Sequence, residues 1–430
     1  MLQTAQISKF RQFCLKQIRD VKAGGWPRFI SKVQSVVRKL LALIGVIITA
    51  PLVLLIVAIR PFVLLRFGTM RSERIGHFAH DVEAYLCALD REKPDRHIID
   101  IICCPEPVCN RHLLAMWTRI ILITPGASLW GIFDRGCQIM TRGDSHHIQF
   151  SGRSKDYRLF PVSEPHLSFT YEEHQRGQVL LEQMGISSGA SWVCIHNRDS
   201  AFLDKAVDGR WSYHDYRDFS AQTMTSAAEE LSSRGYYVVR MGSVVAERLI
   251  SNNTMVIDYA SSALRSDFAD IYLLANCSAY LGSDSGIFSV ALIFRKPIVL
   301  INFSATLIST LIIQGCYAFP FITKRLWHKE KQRFLGIREM FEAGLAGASG
   351  SDRFEEAGVE PVCNTPEEIR ALAIEVDERL KGSWQPQSGD EELQQRFWSI
   401  FRAHAPAESH CGLHPRVGAA FLRKHLYLLD

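Results

Sequence analysis

The sequence predicts an α/β protein with two parallel-sheet units, an N-terminal membrane segment and a C-terminal helical tail. Three observations support this prediction: short apolar strands alternate with helices, a long uncharged stretch lies near the N-terminus, and residues 341–430 have helical patterning. Of the 430 residues, 47% are hydrophobic and 22% are charged, which excludes a disordered, collagen-like or coiled-coil chain. The 11 cysteines are odd in number and lack zinc-finger spacing, so we interpret them as reduced thiols of a cytosol-facing protein.

The positive charge of the chain is concentrated in residues 1–39, which we interpret as a basic amphipathic arm. This arm has nine Lys and Arg residues and a single acid, Asp20, so it carries +8. Since the whole chain carries +4, the remainder carries −4. A nucleic-acid-binding protein usually carries its positive charge on the folded domain. Here the charge precedes an apolar segment, which indicates an anionic membrane surface as the partner and not a nucleic acid.

An uncharged stretch of twenty residues, from Leu40 to Ile59, predicts a membrane-inserted segment over residues 40–60. At about 1.5 Å per residue, the stretch is just long enough to cross the hydrocarbon core. Basic residues flank both of its ends, which favours the cytoplasmic side for both flanks. Pro51 interrupts the middle, so a re-entrant or monotopic insertion with a bend at Pro51 is favoured over a single span. A buried core helix is the alternative.

Residues 61–175 and 176–340 predict two Rossmann-like domains, each built from alternating strands and helices. In the first domain, apolar runs at 61–68 and 97–104 predict strands, and the spacing over 78–89 predicts a helix. In the second domain, strands are predicted at 192–197, 236–242, 254–259, 279–284 and 297–303, and helices at 213–234, 267–277 and 285–295. Strands linked through helices predict parallel sheets with right-handed crossovers. The cleft between the domains is the expected ligand site.

Polar residues follow the strand predicted at 192–197, at the edge where open α/β sheets bind their ligands. These residues are His196, Asn197, Arg198 and Asp199. An arginine at a strand end can bind a phosphate through two hydrogen bonds, and a neighbouring His or Asp can position a ligand or move a proton. The cluster therefore predicts a phosphate-binding and catalytic site. A polar turn whose charges pair with one another is the alternative.

The loop that begins at Gly282, between a predicted strand and a predicted helix, is a second candidate site. The start of a helix offers free N–H groups to a diphosphate, and the hydroxyls of Ser283 and Ser285 add donors. Gly286 allows a ligand to approach the backbone closely. Asp284 would cap the helix or orient a ribose. Simple helix capping, without a ligand, is the alternative for this loop.

Two further positions are weaker candidates. Arg240 and Gly242 end the strand predicted at 236–242, where Arg240 would contact a phosphate or a base; a surface arginine is the alternative. His77 lies in the loop after the first strand of the N-terminal domain and is a candidate general base near neutral pH. A capping or solvated histidine is the alternative there.

Several motifs are absent from the sequence. No Gly-x-Gly-x-x-Gly follows the first strand, so dinucleotide binding is not supported, and no P-loop motif occurs. The chain also contains no Asp-x-Asp, which disfavours a nucleotide-sugar site that depends on a metal ion. We therefore expect no metal at the site.

The run over residues 266–303, SDFADIYLLANCSAYLGSDSGIFSVALIFRKPIVLINF, resembles the C-terminal nucleotide-sugar domain of GT-B-fold glycosyltransferases. The chain most resembles a bacterial family of glycosyltransferases from surface-polysaccharide gene clusters. This resemblance extends over 74–86, 193–204, 240–243 and 421–429. The four residues from His196 to Asp199 are also similar to the His-x-Arg-Arg-x-Asp motif of O-fucosyltransferases, whose arginine grips the β-phosphate of the nucleotide. Only Arg198 can take that role here.

The resemblance implies a GT-B-like fold, in which two Rossmann-like domains face a cleft and the N-terminal domain lies on the acceptor side. It implies transfer of a sugar from a nucleotide sugar, the co-substrate, to a glycan or glycolipid acceptor in cell-surface polysaccharide biosynthesis. The enzyme would use no metal or cofactor and would act at the cytoplasmic face of the inner membrane.

In that reaction, Arg198, Arg240 and the helix start at 283–286 would stabilise the departing diphosphate. His77 or Asp199 would deprotonate the acceptor hydroxyl. A nucleotide-sugar epimerase of the same fold and a non-catalytic membrane-bound scaffold are the alternatives.

Overall fold

A computed structural model describes most of the chain. The described residues are 25–26, 29–30, 32–34, 37, 44–45, 47–92, 97–124, 127–141, 146–148, 150, 157–199, 212–309, 318–405 and 415–430. Most of the predicted basic arm, and residues 40–43 and 46 of the predicted membrane segment, lie outside them.

The helices and strands of the described residues are numbered in chain order. The helices are α1 (47–59), α2 (Ile75–Glu92), α3 (Arg111–Trp117), α4 (Ala127–Thr141), α5 (Tyr171–Gln183), α6 (Thr225–Ser233), α7 (Asp267–Asn276), α8 (Phe288–Ile293), α9 (Ile337–Glu342), α10 (Ser351–Glu356), α11 (Pro366–Leu380), α12 (Asp390–His404) and α13 (Ala419–Lys424). The strands are β1 (Val63–Thr69), β2 (His97–Cys103), β3 (Ile123–Thr124), β4 (His147–Ile148), β5 (Trp192–His196), β6 (Tyr237–Arg240), β7 (Val256–Ile257), β8 (Ala279–Gly282), β9 (Ile298–Leu300), β10 (Ala318–Phe319), β11 (Arg325–His328), β12 (Arg333–Phe334) and β13 (Val359–Val362).

The chain forms two compact units whose boundaries differ from those that the sequence predicts. The first unit consists of residues 1–69, 94–103 and 124–148, and the second of 70–93, 104–123 and 149–430. Residues 70–93 and 104–123 therefore belong to the second unit, although the sequence predicts them as part of an N-terminal domain over 61–175. The reason is packing: Gly76, at the start of α2, lies against Gly286 of the second unit.

The first unit contains a four-stranded sheet in the order β3-β2-β1-β4, in which β1 runs parallel to both β2 and β4. Helix α1 packs on this sheet through Val53 and Ile56, which join Phe67, Phe133 and Cys137 in one buried cluster. The helix is unbroken at Pro51, where the sequence predicts a re-entrant bend. Within the described residues, no helix combines the length and the apolar character needed to cross a membrane.

The second unit contains a six-stranded sheet in the order β10-β9-β8-β5-β6-β7, and every neighbouring pair is parallel. The predicted α/β class with parallel sheets is thus confirmed. The chain enters the sheet at β5, adds β6 and β7 on one side, and then returns to add β8 on the other side. This is the order of doubly wound nucleotide-binding sheets, and the direction of winding reverses between β5 and β8.

One predicted helix of the second unit is divided into shorter segments. The predicted helix at 213–234 consists of two 3₁₀ turns, Ser212–Arg217 and Ala221–Met224, followed by α6. Ser220 separates these turns, because its side chain accepts a hydrogen bond from the Gln222 amide and begins a new helical segment.

The predicted helical tail, 341–430, also contains a strand. Its β13 pairs antiparallel with β11 in a separate three-stranded sheet. The helix that follows begins at a capping box in which the Thr365 side chain accepts from the Glu368 amide and Glu368 accepts from the Thr365 amide.

Replacing Gly177 by alanine is expected to destabilise the second unit. A Cβ at this buried position of α5 would lie 1.9 Å from Cζ of the buried Tyr272 ring, so the ring or the helix must move. Overpacking of this kind costs about 1–3 kcal/mol, which exceeds the gain in helix propensity of about 1 kcal/mol. Urea unfolding of Gly177→Ala measures the loss, and Gln175→Ala, at an exposed position of α5, is the control. Equal stabilities for the two variants would contradict the packing.

Candidate functional site

A cavity of about 240 Å³ lies at the carboxyl ends of β5 and β8, where the winding of the six-stranded sheet reverses. Every residue that lines it belongs to the second unit. The structure brings together residues from three of the four candidate positions, and the three residues that precede the fourth, His77. The lining includes His196, Asn197, Arg198, Asp199, Gly242, Ser285 and Gly286, together with Arg74, Ile75 and Gly76.

Three arginines line this cavity: Arg74, Arg198 and Arg217. Arg198 is nearly buried, and its Nη1 donates to Oδ1 of Asp218. Burial lowers the pKa of the Arg198 guanidinium, and the Asp218 carboxylate opposes that effect. Burial also raises the pKa of Asp218 to about 6, against the opposing charge of Arg198. Both groups are thus held out of water beside the cavity.

Arg217 pairs with Asp284 of the predicted loop. Its Nε donates to Oδ1 of Asp284 at 3.1 Å, and its Nη2 donates to the Asp284 carbonyl oxygen. Burial alone would lower the pKa of Arg217, but the Asp284 carboxylate outweighs it and the pKa is raised. The predicted capping role for Asp284 is not observed, because α8 begins only at Phe288 and its N-cap, Ile287, makes no side-chain cap hydrogen bond. Asp284 instead orients an arginine.

The first turn of α2 supplies the cavity with backbone amides. Arg74, Ile75 and Gly76 line the cavity, and α2 runs for 18 residues. The first N–H groups of such a helix have no partners within it, and its dipole is positive at this end. A Cβ at Gly76 would lie 2.9 Å from the Cα of Gly286. Helix α2 can therefore approach the loop that follows β8 only because both residues are glycines.

The two serines of the predicted loop are placed differently. Ser285 lines the cavity, whereas Ser283 is fully buried and outside the lining. Neither hydroxyl has a hydrogen-bond partner among the described residues. Ser285 is therefore part of the cavity wall, and Ser283 is part of the interior.

Arg240 lies behind the cavity and not on its surface. Its side chain is fully buried and donates to Oδ1 of Asn197 at 2.9 Å, to Asp258 at 3.1 Å and to the Glu247 carbonyl at 2.8 Å. The sequence predicts a phosphate or base contact for Arg240, but the structure uses its donors to hold Asn197. Asn197 in turn donates to the Phe219 carbonyl and lines the cavity.

His196 is held as a neutral imidazole. Its Nδ1 lies 2.9 Å from the Met241 carbonyl oxygen, to which it donates. Burial lowers the pKa of His196 to about 4, and the charge of Arg240 adds to the effect. At neutral pH, Nε2 is therefore unprotonated and can accept a hydrogen bond from a ligand in the cavity.

The two candidate bases differ in position. Asp199 lines the cavity, and its Oδ2 accepts from the Ala246 amide at 3.0 Å. His77 is outside the lining but follows Gly76 directly, and its side chain is 38% exposed. Its Nδ1 lies 3.2 Å from Oδ2 of the buried Asp81, one turn further along α2, so the imidazole is oriented by a carboxylate.

Sequence reasoning did not select three charged residues that line the cavity. Arg217 and Asp270 lie within predicted helices, and Arg74 precedes the candidate base His77. Asp270 accepts from the Tyr259 hydroxyl at 2.8 Å and from Arg265 at 3.0 Å, and burial raises its pKa to about 6. The one signal in the sequence was that Arg217 and Asp270 are charged residues at positions of predicted helices that would pack against a parallel sheet.

One group of possible metal ligands occurs among the described residues, at Glu83, Cys87 and His166. A guanidinium already fills it. Nη2 of Arg295 lies 2.6 Å from Oε1 of Glu83 and 3.6 Å from Sγ of Cys87. His166 Nδ1 lies 3.1 Å from the same carboxylate oxygen. Burial opposes the charged imidazole, but its hydrogen bonds with Cys87, Glu83 and Asp90 outweigh burial and raise the pKa of His166 to about 10. Two cations thus share Glu83, which makes this a buried ion network and a poor metal site.

No known protein family and no curated protein matches the chain. Several solved structures resemble it weakly. The E. coli ADP-heptose lps heptosyltransferase II is 15% identical, with 55% of this chain and 84% of that chain covered and a TM-score of 0.37. The glycosyl transferase family 9 structure from Veillonella parvula is 12% identical, with 55% and 80% covered and a TM-score of 0.35.

The heptosyltransferase TibC of enterotoxigenic E. coli, described as dodecameric and iron-containing and solved with ADP-D-β-D-heptose, is 13% identical. The similarity covers 75% of this chain and 77% of that chain, with a TM-score of 0.35. TM-scores this low do not establish a common fold, so the function of this chain is inferred from its own site.

The neutral state of His196 predicts a pH dependence of stability. Unfolded His196 takes up a proton below about pH 6.5, whereas the native side chain does so only near its pKa of about 4. Because the unfolded state binds more protons between these values, the His196 contribution to the free energy of unfolding is lost as the pH falls from about 6.5 to about 4.

Urea unfolding of the wild-type protein and of His196→Gln over this pH range measures that contribution. Glutamine keeps a donor for the Met241 carbonyl but does not titrate. We expect the wild type to lose about 1–2 kcal/mol more than the variant as the pH falls. If the difference in free energy of unfolding between the wild type and His196→Gln does not change with pH, His196 is accessible to protons in the native state.

Proposed function

We propose that the protein is a glycosyltransferase that moves a sugar from a nucleotide-sugar donor to a glycan acceptor. The observation that carries this proposal is the cavity at the reversal point of the parallel sheet, lined by three arginines and by the first turn of an 18-residue helix. Nucleotides bind at this point of doubly wound sheets. Cationic side chains and helix N-termini together favour a diphosphate.

The arrangement suits the departure of a nucleoside diphosphate. When the bond between the sugar and the diphosphate breaks, negative charge develops on the phosphate oxygens. Arg198 and Arg217 are already oriented by Asp218 and Asp284, so they stabilise that charge without reorganising. Ser285 also lines the cavity, where its hydroxyl would add a neutral donor. We propose that this set of donors replaces a metal ion and that no cofactor takes part.

The acceptor hydroxyl must lose a proton during transfer. Two residues are proposed for this step, Asp199 and His77. Asp199 is supported by its place in the cavity wall, and His77 by the Asp81 carboxylate that orients its imidazole.

The proposed setting is the cytoplasmic face of the inner membrane. The +8 charge of residues 1–39 and the apolar stretch that follows support attachment through residues 1–60. A lipid-linked glycan is the proposed acceptor, in the biosynthesis of a cell-surface polysaccharide, because a membrane arm places an enzyme beside such a substrate. We also propose the GT-B-like arrangement, with the acceptor on the N-terminal side.

The proposal predicts that Arg198→Ala abolishes most of the turnover. Full-length protein in detergent is incubated with a panel of nucleotide sugars and a lipid extract from its host, and release of nucleoside diphosphate or CMP is measured. One donor is expected to support release that depends on the lipid. Loss of the Arg198 guanidinium should lower kcat/KM for that donor by about 100-fold. Arg353→Ala, at an exposed arginine of α10, is the matched control and should have no effect.

The same experiment separates the alternatives. An epimerase would convert the sugar of the donor without releasing nucleoside diphosphate. A non-catalytic scaffold would neither release diphosphate nor be stabilised against heat by any nucleotide sugar. Normal turnover in Arg198→Ala would show that the diphosphate binds elsewhere.

Gly76→Ala is expected to weaken donor binding. The added methyl would lie 2.9 Å from the Cα of Gly286 and 3.3 Å from its carbonyl oxygen, and backbone atoms cannot move aside as a flexible side chain can. The first turn of α2 would shift away from the diphosphate, and we expect the Kd of the donor to rise about tenfold or more.

Calorimetric titration with the donor identified above measures this effect. Gly131→Ala is the control, because a Cβ at this helical glycine of α4 meets no atom within 4 Å. Unchanged affinity in Gly76→Ala would mean that the helix start does not contact the donor.

A further inference from the structure

Helix α1 presents a continuous apolar face that no described residue covers. Its exposed residues fall on one side of the helix, which we call the outer face of α1. The outer face consists of Ile47, Ile48, Pro51, Leu52, Leu54, Leu55 and Ala58. Ile48 is 73% exposed and Leu55 is 56% exposed. A helix at the surface of a globular protein normally carries polar residues on its exposed side.

The opposite side of α1 is occupied by protein. Val53 is fully buried and Ile56 nearly so, against Phe67 of β1 and Phe133 of α4. Thr49 is the single polar residue between 47 and 59, and its hydroxyl donates to the Gly45 carbonyl at 2.9 Å. Its polar atom is thus satisfied within the helix, and none of the side chains of the outer face needs water.

Along the sequence, the charged residues on either side of α1 have one sign. No Asp or Glu occurs between Asp20 and Glu73. Eight basic residues lie in that interval: Lys22, Arg28, Lys32, Arg38, Lys39, Arg60, Arg66 and Arg71. Such a segment is attracted to anionic lipid headgroups, at about 1 kcal/mol for each basic residue near the surface.

Exposed aromatic residues both precede and follow α1 in the sequence. Before the helix, Trp26 and Phe29 are exposed and stack on each other with ring centroids 5.2 Å apart. After it, Phe62 is 77% exposed. Aromatic side chains are favoured at the boundary between lipid headgroups and hydrocarbon.

We propose that α1 lies in the plane of an anionic phospholipid bilayer, with its outer face in the acyl boundary and its inner face on the first unit. Neither a bent insertion nor a span fits the packing. To span, α1 would have to leave Phe67 and Phe133 or carry them into hydrocarbon together with the Arg66–Asp100 ion pair of the same sheet. This inference concerns membrane attachment and does not depend on the reaction proposed above.

A second copy of the chain is a poorer occupant of the outer face. Pairing two outer faces would bring together two arms of +8 each without any acid between Asp20 and Glu73 to offset them. A bilayer that contains phosphatidylglycerol offers the complementary charge, and its acyl chains match the apolar side chains.

Flotation with lipid vesicles tests the proposal on the full chain. The wild type should float with phosphatidylcholine–phosphatidylglycerol vesicles, less with pure phosphatidylcholine, and less at high salt. The double variant Leu52→Glu/Leu55→Glu should reduce the vesicle partition coefficient by about tenfold or more, because both carboxylates would enter the acyl boundary.

The matched control places the same two charges elsewhere. Val162→Glu/Ile250→Glu changes side chains that are 80% and 71% exposed in the second unit, and it should partition as the wild type does. Equal partition of both double variants and the wild type would overturn the proposal. So would a wild-type dimer in vesicle-free solution that Leu52→Glu/Leu55→Glu converts to a monomer, because the outer face would then be a protein interface.

Protease accessibility separates an in-plane helix from a span. Epitope tags are placed at both ends of the chain, and protein bound to preformed vesicles is treated with protease from outside. An in-plane α1 leaves both tags on the outer side, so both should be cleaved. Protection of one tag would show that the segment crosses the bilayer and would overturn the proposal.

Discussion

The candidate site depends on the close approach of β5 and β8 at Gly282. A Cβ at Gly282 would lie 2.4 Å from the carbonyl oxygen of His196, so a larger residue would force the strands apart. With glycine there, the Ile195–Leu281 and His196–Gly282 pairs complete the parallel ladder up to its carboxyl end. The loops after both strands then leave the sheet side by side, and the cavity forms between them.

A buried guanidinium holds one of these loops in place. Arg240 at the end of β6 carries a full charge in the interior, which is stable only because its donors reach Asn197, Asp258 and the Glu247 carbonyl. Through Asn197 it sets the direction in which Arg198 leaves the strand.

Much of the fold could be predicted from local patterns. The six strands of the second unit's sheet include all five that the sequence predicts there, because buried parallel strands are apolar on both faces and end at polar loops. Helix starts were less predictable. The helix after Gly286 begins at Phe288, and Asp284, which the sequence predicts as its cap, instead accepts from Arg217, a residue 67 positions earlier in the chain.

The sequence by itself located five strands of the second unit, although each was predicted to run past its observed end, and thereby indicated that His196 to Asp199, Gly242 and Ser285 meet at one edge of a sheet. Only the tertiary structure decided which arginines face the ligand. Arg240 was predicted for the cavity and is buried behind it, whereas Arg217 was unassigned and lines it. The sequence pattern of a strand determines which side chains alternate between the two faces of the sheet. The direction of a long arginine side chain depends on hydrogen-bond partners from distant segments, which a local sequence pattern does not identify.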